Sequence, residues 1–279
     1  VMEASKMLSY VESLLKNMPS DWLNLTTHRL DIYNEPLAKT QFLEQLEKLF
    51  NDDNFEASAL NELPTAYDYI RLGHPLSCVL EWAIAHLNGL DAEDVISFSS
   101  KTTPILAVLR KNLMINKNTQ IAYTGELPVF FDTDVIKDVY GYEFELLQVE
   151  RPDLIPAFNG STIYISEEDQ LGDFNLSQNL DFFIGVNDSL GSILLINGEQ
   201  NKEYASEIQH VRRRETIAMT PVNALDALKH LVEKSSIENK NTNAEANKAL
   251  VLESIREITG TKVKAVVASS GLSMQYAIV

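Results

Sequence analysis

The residues best suited to chemistry fall into a few short clusters. Ser99-Ser-Lys-Thr-Thr103 packs four hydroxyls and one ammonium into five residues. Between a strand and a helix, such a run forms an anion cup: backbone N–H groups at a helix start, reinforced by hydroxyls. Ser and Thr also cap helices for structural reasons alone. A second cluster is Asp181-Phe-Phe-Ile-Gly-Val-Asn-Asp-Ser-Leu-Gly-Ser-Ile-Leu-Leu-Ile196. It reads as strand, tight polar turn, strand, with Asn187, Asp188 and Ser189 at the turn. Asn-Asp pairs also cap β-turns without further purpose. A third, Tyr67-Asp-Tyr-Ile-Arg-Leu-Gly-His-Pro-Leu-Ser77, sets aromatics, Arg71 and His74 ahead of a helix. That composition lines a cleft or anchors a loop on the core.

Other reactive residues are less organised. Glu167-Glu-Asp169 could serve acid–base work or a divalent ion, or be a solvated turn after a strand. His28, His86, His210 and His230 are scattered singly, with no metal-ligand spacing, so no metal site is expected. Cys78 falls in an apolar helix and reads as a core thiol. There is no Gly-x-Gly-x-x-Gly and no Gly-x-Ser-x-Gly, so dinucleotide binding and a nucleophile elbow lack motif support.

The elements that must position these clusters follow from hydrophobic periodicity. Stretches 3–18 and 36–50 carry apolar residues at three- and four-residue spacing and predict amphipathic helices. Pro75 suits a first helical position, with the helix running over 76–87 to Gly89. Strands are expected at 95–98, 119–123, 143–149, 161–166 and 180–185, alternating early on with helices at 104–113 and 132–140. That alternation argues a parallel sheet covered by helices. The strand at 192–196 follows too short a turn to cross over, so antiparallel pairing is expected there. Helices at 202–216, 221–235 and 244–259 come next, then a hairpin with arms 262–268 and 274–279 around Ser269-Ser-Gly-Leu-Ser273. The strand pattern runs to the final residue, so the last subdomain is expected to be partial.

Composition narrows the function class. The chain has 279 residues, 45% of them apolar, enough for one large domain with an appendage. A net charge of −17 argues against nucleic acid or an anionic membrane as partner, since phosphate binding needs clustered Lys and Arg. The short run Arg212-Arg-Arg214 reads as a solvated or ion-paired helix face. No apolar run reaches the roughly 18 residues a membrane helix needs. With one cysteine and no signal-like N-terminus, a cytoplasmic protein is expected.

Taken in order, the clusters resemble the fold-type I pyridoxal-phosphate (PLP) enzymes, with the nearest feel to class V aminotransferases and cystathionine-type lyases. Tyr69-Ile-Arg-Leu-Gly-His-Pro-Leu-Ser-Cys-Val-Leu-Glu81 is similar to the family's Y-S-R-x-G-N-P-T-x-x-x-L-E entry to its large domain. Glu93 to Pro104 looks like the strand and turn that grip the cofactor phosphate. Tyr164 to Phe174 sits where the family has a strand ending in an aspartate that pairs with the pyridine nitrogen. Residues 181–196 look like the strand, lysine turn and returning strand. Met219-Thr-Pro-Val-Asn-Ala-Leu-Asp226 resembles the start of the helix leading to the small domain. The likeness covers roughly 60–275. It implies an α/β fold with a mostly parallel sheet covered by helices. Three parts are expected: an N-terminal helical segment (1–60), a large domain (61–235) and a partial small subdomain (236–279). It implies a cofactor set of Ser99, Ser100, Lys101, Thr102, Tyr123, Ser166 and Asn187. It also implies a dimer, either of like chains or with a related subunit, to which the 67–74 segment contributes.

The departures bear directly on activity. The family turn reads Lys-Ser/Thr-Leu/Phe-Gly, whereas this chain has Asp188-Ser-Leu-Gly191, and no lysine lies between Lys137 and Lys202. PLP chemistry needs a lysine amine for the imine and for moving the substrate proton. Ser166 stands near the slot of the pyridine-pairing aspartate, and Lys101 where a small residue is usual. The expectation is therefore a lysine-less subunit or pseudoenzyme in which PLP, if it binds, is not covalently held. The alternatives are a working PLP-dependent aminotransferase or lyase acting on an amino acid, and an unrelated α/β metabolite-binding domain.

Overall fold

The computed structural model describes residues 2–24, 39–64, 70–237, 243–268, 271, 274 and 275. At its centre lies a six-stranded mixed sheet in the order β1-β6-β5-β4-β2-β3. The strands are β1 (Val95–Phe98), β2 (Thr119–Tyr123), β3 (Glu145–Gln148), β4 (Ser161–Glu167), β5 (Phe182–Asn187) and β6 (Gly191–Ile196). The β2–β3, β2–β4 and β4–β5 pairings are parallel, while β6 runs antiparallel to both β5 and β1. The fold is thus α/β with a mostly parallel sheet. The exception at β6 follows from the three-residue link after Asn187, far too short for a crossover. One consequence was not foreseen from sequence: β1 does not neighbour β2 but forms the far edge, reached only through β6.

The helices are α1 (Met2–Asn17), α2 (Thr40–Asn51), α3 (Ala57–Asn61), α4 (Pro75–Asn88), α5 (Thr103–Met114), α6 (Thr133–Tyr140), α7 (Tyr204–Glu215), α8 (Pro221–Glu233) and α9 (Ala244–Thr259). Strand residues alternate between the two faces. Tyr164 and Phe183 point into a core shared with α1, α2, α4 and α8, whereas Ile163, Ile165, Phe182 and Ile184 pack on the opposite side with α5 and α7. Helices cover both faces, so β5 and β6 are buried along their whole length and read as unbroken apolar runs.

Helix α4 is the central pillar, buried all round from Pro75 to Ala85. Its start is fixed by a reciprocal cap. The Ser77 N–H donates to His74 Nδ1 (3.2 Å), and the His74 N–H donates to Ser77 Oγ (3.0 Å). Gly89 closes it in a left-handed turn.

Glu81 is the single acidic or basic residue of α4 other than His86, and its carboxylate is fully buried. It meets Lys39 Nζ at 2.9 Å and Arg212 Nη1 of α7 at 2.9 Å. The three side chains do the work of a missing strand. Glu81 accepts from the Ser97 N–H (2.8 Å), Arg212 donates to Ser97 O (3.0 Å) and Lys39 donates to Val95 O (3.0 Å). The outer backbone groups of β1 are thereby satisfied. Burial pushes the Glu81 carboxyl up, but Lys39, Arg212 and the Ser97 N–H outweigh it and hold its pKa at about 2. Arg212 is therefore buried and ion-paired rather than solvated.

The first arm of the expected C-terminal hairpin, 262–268, is not a strand. Gly260 ends α9, and 261–268 follow without strand structure. Val263 and Val266 remain more than half exposed. A lone strand with no sheet to join gains neither ladder bonds nor a buried face. Most of the second arm and of the expected turn lies outside the described residues, as do the first residues of the helix expected from 36 and Tyr67 to Tyr69 of the aromatic segment.

Candidate functional site

Five strands, β1 to β5, point the same way and present their carboxyl ends along one edge of the sheet. In open α/β sheets this edge is where ligands bind. The hydroxyl-rich turn leaves β1 there. Ser100 Oγ accepts from the Thr103 N–H (3.1 Å) and from Thr103 Oγ1 (2.9 Å), which fixes the entry to α5. The Ser99 N–H is taken by Ile217 O (3.2 Å). The N–H groups of Ser100, Lys101 and Thr102 have no protein acceptor among the described residues.

The turn after β5 is built by Asn187, which is buried. Its Oδ1 accepts from the N–H groups of Ser189 (3.0 Å) and Leu190 (3.2 Å), and its Nδ2 donates to Glu168 O (2.9 Å). Asn223 of α8 reaches the same turn by donating to Leu190 O (3.1 Å). Gly191 then re-enters the sheet at φ +123°, and a Cβ there would run into Phe98 O, so β6 can approach the end of β1 only as glycine.

The two turns meet. Ser192 Oγ donates to Ser100 O (2.6 Å), and Lys101 Nζ bridges to Asp188 Oδ1 at 2.5 Å. Lys101 also lies over the Phe130 ring, 5.4 Å from its centroid. The structure thus brings Ser99, Ser100, Lys101 and Thr102 against Asn187 and Asp188, as the sequence order implies. Ser166 is beside them, since it pairs with Gly185 across β4 and β5. Tyr123 is farther off. It ends β2, four strand steps from β1, or about 19 Å at usual strand spacing. By alternation it lies on the α5 side of the sheet, while Ser166 and Asn187 lie on the α4 side.

The intervening cleft is acidic. Glu167, Glu168, Asp169, Asn187, Asp188 and Ser189 line a space of about 170 Å³. Burial raises the Glu168 pKa; a hydrogen bond with Ser166 opposes this and the Asp169 charge adds to it. The sequence singled out the acidic run but not its position opposite Asp188. That juxtaposition depends on the β4–β5 register, which local pattern does not encode.

This edge does not fit PLP held as a lysine imine. The turn offers an amide, a carboxylate and a hydroxyl in place of an amine. The amine that does arrive, Lys101, is ion-paired with Asp188. Four carboxylates, Glu167, Glu168, Asp169 and Asp188, line the cleft beside this turn, and they repel an anionic ligand entering there. Among the described residues no group of His, Cys, Asp and Glu is arranged to hold a metal ion, and no helix is long and apolar enough to cross a membrane.

No protein-family model matches the chain, and no curated protein matches it. Among solved structures it is similar to MetB from Corynebacterium glutamicum (13% identity, 92% of this chain and 70% of that one, TM-score 0.43). It is also similar to a putative O-acetylhomoserine (thiol)-lyase from Campylobacter jejuni subsp. jejuni, solved with a pyridoxyl-lysine monophosphate residue (14%, 77% and 65%, TM-score 0.40). A third is cystathionine gamma synthase from Xanthomonas oryzae pv. oryzae in complex with aminoacrylate and cysteine (11%, 89% and 67%, TM-score 0.43). The chain spans about two thirds of each of those chains. At these scores the likeness assigns no chemistry, which rests on the residues of this chain.

Proposed function

We propose that the chain is a degenerate member of the PLP-transferase-like proteins, with a binding or partner role in place of imine catalysis. The observation that carries this reading is the Lys101–Asp188 ion pair. It joins the hydroxyl-rich turn to the turn where the family resemblance places the cofactor lysine, and it neutralises the one cation of the cup. Ordered hydroxyls and amides remain, and they suit hydrogen bonding to a small polar ligand or support of a neighbouring subunit. The resemblance further suggests pairing with a like chain or a related subunit across an obligate-sized interface, of more than about 2,000 Å².

The deciding experiment is incubation with one equivalent of PLP, borohydride reduction and mass spectrometry of the intact chain and its peptides. The expected result is no stoichiometric adduct. A stoichiometric adduct on any lysine would restore the reading as a working aminotransferase or lyase. Light scattering at micromolar concentration tests the assembly, and a clean monomer that stays monomeric with its candidate relatives counts against the partner role.

A further inference from the structure

We propose that a second site, the basic cleft beside the outer edge of β1, binds a phosphate group. The cleft encloses about 110 Å³ and is lined by residues that include Lys39, Arg71, Ser206, His210, Arg212 and Arg213. Such a concentration of cations is unexpected in a chain of net charge −17. The site lies apart from the carboxyl end of the sheet and does not depend on the PLP-like reading.

The charge balance carries the argument. Lys39 and Arg212 are 7% and 2% exposed, and among the described residues both are paired with one carboxylate, Glu81. Two buried cations to one buried anion leaves an excess positive charge at the wall of the cleft, offset in part by the carbonyls of Val95, Ser97 and Leu72. Buried charge is expensive, several kcal/mol per ion as a general figure, so a further anion in the cleft is favoured. The Arg212 Nη groups are committed to Glu81, Ser97 O and Leu72 O, while its buried Nε–H has no acceptor among the described residues.

Size and donor type identify the anion class. At about 30 Å³ per water, the cleft holds the equivalent of three or four waters, which suits a group of a few heavy atoms. The Ser206 hydroxyl, the Gln209 amide and the His210 ring add further donors beside the cations. A tetrahedral oxyanion with several strong acceptor oxygens uses such a surround more fully than a two-oxygen carboxylate.

The test is calorimetric titration of the full chain with inorganic phosphate at ionic strength held constant with chloride. One saturable site per chain is expected. Arg213→Glu, which reverses charge in the cleft wall, should weaken binding about ten-fold or more, as removal of a charge-assisted contact implies. Arg214→Glu makes the same change in net charge on an exposed neighbour outside the lining, and should weaken it less than about two-fold, as screening allows. Should Arg213→Glu fail to fold, His210→Glu probes the same wall with the same expected loss. Acetate should bind more weakly than phosphate. No saturable binding, equal weakening in both arginine variants, or acetate binding as tightly as phosphate would each overturn the proposal.

Discussion

Replacing Glu81 by glutamine is the sharpest probe of how this fold is held. The substitution keeps the shape and leaves an oxygen able to accept from the Ser97 N–H and Oγ, at 2.8 and 2.7 Å in the parent. It removes the charge that Lys39 and Arg212 share, each at 2.9 Å. Breaking a buried pair by deleting one partner costs about 3–5 kcal/mol, because the remaining charge is stranded. Here two cations are stranded, so the upper half of that range is expected. In urea unfolding, with a slope near 3 kcal/mol/M for a large domain, the midpoint should fall by about 1–2 M. Glu12→Gln is the control. Its i,i+4 pair with Lys16 is mostly solvent-exposed, and such pairs contribute at most a few tenths of a kcal/mol. Adding Lys39→Met to Glu81→Gln should recover part of the loss, because it removes one of the stranded cations. If Glu81→Gln costs no more than Glu12→Gln, the triad does not organise the β1 edge and the reasoning fails.

Acid should destabilise the fold in two steps. Burial lowers the His74 pKa to about 4, against the opposing pull of the Met219 carbonyl, so the unfolded chain binds the proton first. Stability is full above pH 6.5 and falls as pH drops from 6.5 toward 4, by about 3 kcal/mol for 2.5 units. Chemical unfolding at pH 7 and pH 4.5 measures it, and His74→Asn, which retains a capping group, should flatten this part of the profile. Below pH 4.5 the depressed Glu81 carboxyl adds a further loss that Glu81→Gln abolishes. Lys101→Met, at a half-exposed pair, should lower stability by under about 1 kcal/mol, read by thermal melting. Asp188→Lys, which restores an amine beside Lys101, should gain a stoichiometric reduced PLP adduct at position 188 that the parent lacks. Gly191→Ala should cost about 2–3 kcal/mol or prevent folding, since its φ is +123° and its new methyl meets Phe98 O.

Much of the architecture was legible because the signals are local. Strands 95–98 and 119–123 announce themselves through short apolar runs, and the helix expected at 132–140 forms at Thr133–Tyr140 with Asp132 as its N-cap. The meeting of the two turns follows once both are known to leave the carboxyl ends of like-directed strands. The position of β1 at the edge was hidden, because it depends on β6 inserting between β1 and β5. The first arm of the expected hairpin, 262–268, is not a strand: alternation marks a strand only where pairing completes it. The Glu81–Arg212 contact of the triad joins residues 131 positions apart. Two clues to it were nonetheless present. Glu81 stands alone in an otherwise apolar helix, and Arg212 falls in phase with the buried Tyr204, Ile208 and Val211. A charge in an apolar phase calls for a buried countercharge.

The two margins of the sheet are guarded unequally, and this decides where the protein can go wrong. At β1 the Val95 carbonyl and both Ser97 backbone groups are bound by charged side chains and the Val95 N–H by Ala92 O, so an incoming strand finds these donors and acceptors occupied. At β3 the outer side pairs with no strand among the described residues, its residues are largely exposed, and Glu143, Glu145 and Glu150 surround it. There the deterrent is repulsion between like charges rather than occupancy. Occupancy survives salt, while repulsion does not. Self-association by strand addition, should it occur, would start at β3 and would be provoked by high ionic strength.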